Sequence, residues 1–108
     1  MRLRALGITS AKRTASAPDI PTIAEAGVPG YEAVGWNGMV APANLPAPVL
    51  EKIHSTVVKV FQNPEVTGRM TALAADPITT TPAEFGAYIK AETGKWAKVV
   101  KATGAKAE

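Results

Sequence analysis

Cysteine is missing from the 108-residue sequence, and histidine occurs once, as His54. The first absence excludes disulfides and thiolate metal sites. The second leaves His54 without companion ligands at metal-binding spacing, so no metal is predicted. Acidic and basic blocks are also lacking. Twelve Lys and Arg against nine Asp and Glu leave a net charge of +3, with the basic excess spread towards both ends. No basic patch for nucleic acid or a membrane surface follows from that balance. No apolar run approaches the ~18 residues that cross a bilayer. The basic start Met1–Arg4 is followed by an apolar stretch of only Ala5–Ile8, shorter than the ~7–15 residues of a secretion signal. As it stands, the chain reads as cytoplasmic. Phosphate-loop, dinucleotide and nucleophile-elbow patterns (GxxxxGK, GxGxxG, GxSxG) do not occur.

An apolar fraction of 46% does fit a globular chain, and its length allows one domain at most. Arg2–Thr9 reads as a strand, weakened at Gly7, where a bulge or close backbone approach is expected. A polar loop, Ser10–Asp19, follows. Pro21 suits the first position of a one-turn helix, Thr22–Ala26, stopped by Gly27. Tyr31–Ala41 reads as a second strand carrying Gly35 and Gly38, which mark places of close approach. Asn44–Pro48 opens a helix over Ala47–Gln62, with Val49, Leu50, Ile53, Val57, Val60 and Phe61 on its inner face. Asn63 caps a further helix that has Pro64 in its first turn and Val66, Met70 and Leu73 inside. Pro77–Thr80 reads as an edge strand. Thr81-Pro82-Ala83-Glu84 is a capping-box start for a last helix, Pro82–Thr103. Gly104 ends it, and a charged tail follows.

The predicted order is therefore β-α-β-α-α-β-α, an α/β arrangement with two convincing strands. Two strands rarely form a stable sheet alone. The apolar load of Trp36, Met39, Phe61, Phe85 and Trp96 thus implies further strands, from another chain or another part of this one.

No catalytic set emerges. His54 and Ser55 are helix neighbours that do not face each other, and His54 reads as a solvated surface residue. The glutamates are scattered, Glu84 already has a capping role, and the others read as exposed or structural. Trp36 has two readings. It packs at a sheet end with its ring nitrogen bonded locally, or, with Asn37 and Gly38, it lines a cleft that a small polar ligand approaches. Trp96 reads as core.

Taken together, several motifs resemble the Bug family, the substrate-binding proteins of tripartite tricarboxylate transporters. They are Leu3-Arg4-Ala5-Leu6, Thr9-Ser10 and Lys12-Arg13, then Pro18 through Gly27, and Pro29-Gly30-Tyr31-Glu32. Gly35-Trp36, Gly38, Ala41-Pro42 and Pro64-Glu65-Val66 follow, and Thr81 through Phe85 with Glu92, Trp96 and Gly104 complete the set. Asn37 departs from the aromatic residue that the family often carries there, and Asn44-Leu45 from a Gly-Thr pair.

The resemblance implies a non-enzymatic C-terminal part, residues 1–108 as a single partial domain, of a type II periplasmic-binding-protein-like fold. Two lobes of such a protein close on a small carboxylate or amino-acid ligand, without a cofactor. It implies membrane transporter subunits as partners and a periplasmic location. Trp36, Asn37 and Gly38 are the cleft-side candidates for ligand contact. Two other readings remain open, a non-binding remnant and a module that self-associates to complete its sheet.

Overall fold

The computed structural model describes residues 3–106. Two compact units divide the chain, Met1–Asn44 and Leu45–Glu108. The described residues form three helices and no strand: α1 (Ala47–Phe61), α2 (Pro64–Ala72) and α3 (Pro82–Thr103).

All three helices lie in the second unit and begin as the prolines predict. In α1, Pro46 takes the cap position and Pro48 the first turn, where a missing amide costs nothing. The helix stops where Asn63 turns extended ahead of Pro64, since a residue preceding proline avoids helical backbone. Asn63 Oδ1 then accepts the Glu65 amide at 2.9 Å and starts α2. That helix ends without glycine. The Ala75 amide reaches back to the Met70 carbonyl and the Ala74 amide to that of Thr71, the paired bonds of a Schellman ending. They require the left-handed backbone that Ala74 adopts at φ 55°. For α3, Thr81 and Glu84 close the expected capping box, and Gly104 ends it at φ 68°. Ala107 and Glu108, at the end of the predicted charged tail, lie outside the described residues.

The inner faces differ from the expected ones. On α1, Leu50, His54, Val57, Val58 and Phe61 are half-buried, while Val49, Ile53 and Val60 are exposed. The covered stripe keeps helical spacing but is rotated by about one position. Its cover comes from α2 and from the segment before α3. The two helices α1 and α2 pack together, and His54 Nε2 meets the Thr80 carbonyl at 2.8 Å. A carbonyl only accepts, so Nε2 carries the proton. His54 is therefore a link between α1 and residue 80, not a solvated surface residue. Leu73, expected inside α2, is exposed, as are Tyr88, Trp96, Val99 and Val100 of α3.

None of the three predicted strands forms. In Arg2–Thr9, whose Arg2 lies outside the described residues, Leu3 and Leu6 are exposed and only Ile8 pairs, in one parallel bridge to Thr22. Tyr31–Ala41 and Pro77–Thr80 have no regular structure. The physical reason is that a strand exists through its ladder, and these runs find no neighbour to pair with among the described residues. Residues 22–26 form a single helical turn, closed by the Ala26 amide on the Thr22 carbonyl at 3.0 Å, which is the expected one-turn helix in all but length. Among the described residues no hydrophobic side chain is buried; Thr22 is buried fully and Glu92 nearly so. Stability thus draws on caps, local hydrogen bonds and half-covered side chains, each contributing only part of the ~1.5–3 kcal/mol of full apolar burial.

Candidate functional site

Trp36, Asn37 and Gly38 lie in the first unit, all exposed, in a run without regular structure. Its start is anchored. The Tyr31 amide donates to the Val28 carbonyl at 3.1 Å, and the Ala33 amide to that of Thr9 at 2.9 Å. Gly30 turns the corner at φ 78°, a conformation that favours glycine. Trp36 is 41% exposed, so it is not packed in a core within this unit. Among the described residues no atom lies within 4 Å of a Cβ built at Gly35, so no other part of this chain approaches there. At Gly7 one does: a Cβ would sit 3.2 Å from Ile23 Cγ1, as the strand-weakening glycine implied.

The anchor rests on Thr22, 2% exposed and the best-buried of the unit's described residues. Ile8 donates to the Pro21 carbonyl at 2.9 Å and accepts from the Ile23 amide at 2.8 Å. Thr22 and Glu25 cap each other. The Thr22 amide donates to Glu25 Oε2 at 2.9 Å, and the Glu25 amide to Thr22 Oγ1 at 3.1 Å. Arg13 completes the clasp, its Nε donating to the same Glu25 oxygen at 2.9 Å and its guanidinium to the Pro18 carbonyl. The bond from the Thr22 amide, then the Arg13 guanidinium, holds the Glu25 carboxyl below its ordinary value. The Thr-x-x-Glu spacing of Thr22 and Glu25 could have announced this mutual cap. Arg13, twelve residues away in a loop, offered no such signal.

In the second unit, Glu92 Oε2 accepts from the Trp96 indole N–H and Oε1 from the Lys95 ammonium, both at 2.8 Å. The ammonium also lies 5.4 Å from the centre of the Trp96 ring, within cation–π range. Trp96 is thus a half-exposed lid over a buried carboxylate, not core. Ser55 and Thr56 donate to the Lys52 carbonyl, so these hydroxyls serve the helix backbone. Among the described residues no His, Asp or Glu cluster could hold a metal ion, and no helix is long and apolar enough to cross a membrane.

Comparison with known proteins covers nearly the whole chain. The model of the tripartite tricarboxylate transporter family receptor, TctC, matches residues 1–105. A protein in the tcbD-tcbE intergenic region of a Pseudomonas species is 36% identical over 100 residues, 92% of this chain and 30% of that protein. Protein BugT of Bordetella pertussis is 34% identical over 104 residues, 96% of this chain and 32% of its own length. Among solved structures, R. palustris Rpa4515 with adipate shares 34% identity and a TM-score of 0.76, over 92% of this chain and 33% of that one. The chain spans about a third of the length of these relatives. Its backbone follows that of the matching third of the solved protein, although the strand order expected from the sequence is not formed among the described residues. The chain belongs to the tripartite tricarboxylate transporter receptor family, a family of receptors and not of enzymes.

Proposed function

We propose that this chain is the C-terminal part, a single partial domain, of a periplasmic solute-binding receptor serving a tripartite uptake system for small carboxylates. The observation that carries the reading is the family match over residues 1–105, joined to the backbone likeness to a protein solved with adipate. In the complete receptor two lobes close over the ligand and exclude water. Amides at helix N-termini and side-chain donors hold its carboxylates. Trp36, Asn37 and Gly38 stand on the cleft side, Trp36 offering an apolar wall and Asn37 an amide donor. The membrane subunits of the transporter are the receptor's partners.

A second reading has its own support. No hydrophobic side chain among the described residues is fully buried, which suits a non-binding remnant or a module that pairs with another chain. Calorimetric titration separates the two, using adipate and a series of di- and tricarboxylates. It is run on the 108-residue chain and on a chimera in which the chain replaces the matching third of Rpa4515. Saturable binding to the chimera, weakened about tenfold or more by Trp36→Ala or Asn37→Ala, supports the receptor reading; this corresponds to ~1.4 kcal/mol per tenfold. A folded chimera that binds none of the series overturns it.

A further inference from the structure

Arg13 and Glu25 stand apart from Trp36, Asn37 and Gly38 in sequence, yet the first unit ties them to the point where that run begins. One oxygen, Glu25 Oε2, accepts both the Arg13 Nε–H and the Thr22 amide at 2.9 Å. From the turn held in this way, two routes of backbone hydrogen bonds lead to the start of the run. In the first, Ile8 grips Thr22 from both sides, through the Pro21 carbonyl and the Ile23 amide, and its neighbour Thr9 accepts the Ala33 amide. In the second, the Ile23 carbonyl accepts the Val28 amide at 3.2 Å, and the Val28 carbonyl accepts the Tyr31 amide at 3.1 Å. The loop that carries Arg13 has turns of its own. Ser10 Oγ donates to the Lys12 carbonyl at 2.7 Å, and the Ala17 amide to that of Thr14 at 3.2 Å. Arg13 and Glu25 are half-exposed, with side chains at 46% and 49%, and such a pair adds little to stability as a surface contact. Its distinction is its place at the head of both routes.

We propose that Arg13 and Glu25 are positioning residues for the candidate ligand site. Their clasp fixes where the run from Tyr31 starts, and so sets the affinity of Trp36, Asn37 and Gly38 for a carboxylate that neither side chain touches. The inference rests on the receptor reading and adds to it two residues outside the cleft-side three. A run whose start is fixed gives up less freedom when a ligand seats on it. Once released, the start takes up further placements, and apparent affinity falls with the fraction that remains competent. Arginine suits the task because its planar fork spans two acceptors, Glu25 Oε2 and the Pro18 carbonyl. Lysine offers a point charge on a flexible stem. Coupling along such a path is established by a mutant cycle, not by adjacency.

Adipate titration of the Rpa4515 chimera tests the proposal, with Arg13→Met, Arg13→Lys, Glu25→Gln and the Arg13→Met, Glu25→Gln double variant. Arg13→Met and Glu25→Gln should each raise Kd about three- to fivefold. Binding stoichiometry should not change, because a positioning defect weakens every site whereas unfolding removes sites. Arg13→Lys, which keeps the charge but not the fork, should fall between the parent and Arg13→Met. The double variant should bind no more weakly than the weaker single one, as one shared contact requires. In the isolated 108-residue chain the Ala33 amide should exchange about threefold or more faster in Arg13→Met, with the amides of α1 and α3 unchanged. Single-variant Kd values within about 1.5-fold of the parent chimera overturn the proposal and leave the receptor reading standing. Lower stoichiometry at constant Kd, additive losses in the double variant, or unchanged Ala33 exchange each do the same. A folded parent chimera that binds no carboxylate overturns the receptor reading and this proposal with it, a result distinguished by appearing before any clasp residue is changed.

Discussion

Replacing Glu92 by glutamine is the sharpest single test of how α3 is held. Glu92 is 9% exposed, and its two oxygens accept from Lys95 and Trp96 at 2.8 Å. Bonds to a charged acceptor contribute about 1.5–3 kcal/mol each when both partners are buried. Here the donors are partly wet, Lys95 at 34% side-chain exposure and Trp96 at 40%, and regain water once released. The amide keeps the shape of Glu92 and can still accept from the indole, but turns an NH2 towards the Lys95 ammonium. The expected cost is about 1–2 kcal/mol, or a melting-temperature drop of roughly 5–10 °C for a chain of this size.

Circular dichroism at 222 nm reads that drop, and a double-mutant cycle with Trp96→Phe isolates the indole bond, with an expected coupling of about 0.5–1.5 kcal/mol. Because Glu92 is shielded, most of the effect should survive 1 M salt, where screening acts within about 3 Å. The pair Glu65–Arg69 is some 70–80% exposed, and its ~0.3–0.5 kcal/mol should vanish there. A Glu92→Gln variant within about 0.3 kcal/mol of the parent, or a coupling of zero, would refute the reasoning.

Three further expectations concern local geometry. Ala74→Gly should stabilise the second unit by up to about 1 kcal/mol, because left-handed backbone strains alanine and not glycine, against the greater freedom of glycine when unfolded; a lower denaturation midpoint in urea would contradict the Schellman ending. Asn63→Ala should cost about 1 kcal/mol through loss of the α2 cap, with Asn63→Asp retaining most of it; equal loss in both variants would show that the side-chain oxygen is not the capping group. Acid should weaken the chain through Glu25 and Glu84. Both carboxyls are held below their ordinary 4.5, Glu25 first by the Thr22 amide and Glu84 first by the Thr81 amide. Their contribution is therefore complete above about 4.5 and is lost as pH falls through the lower folded values. A Glu25→Gln, Glu84→Gln double variant should lose less stability between pH 6 and pH 3 than the parent, and an equal loss would exclude these two groups as the cause.

Helices were legible in the sequence because their signals are local. Thr81-Pro82-Ala83-Glu84 and Gly104 bound α3 at the predicted residues, and Asn63-Pro64 starts α2 as read. Each cap is made within three or four residues, so no distant partner decides it. The covered faces were less legible. The apolar stripe of α1 is wider than its cover, and the position of α2 and of Thr80 selects which part of it is shielded. His54 is the clearest case: its spacing from Leu50 and Val57 places it in the covered stripe, yet its meaning depends on a carbonyl 26 residues away.

Strands are relational, and that explains where the sequence reading departs from the structure. The pattern of Val34, Trp36 and Val40 describes a chain able to pair, while a ladder also needs a second backbone at about 4.8 Å. A pattern suited to an interior strand can therefore be present in full and leave no strand behind. The same distinction separates the two parts of the candidate site. The Thr22–Glu25 cap fixes where residue 33 begins, and the bonds that make it lie within the first 33 residues. In the receptor proposed above, what stands opposite Trp36, Asn37 and Gly38 would be set by residues beyond the matched third.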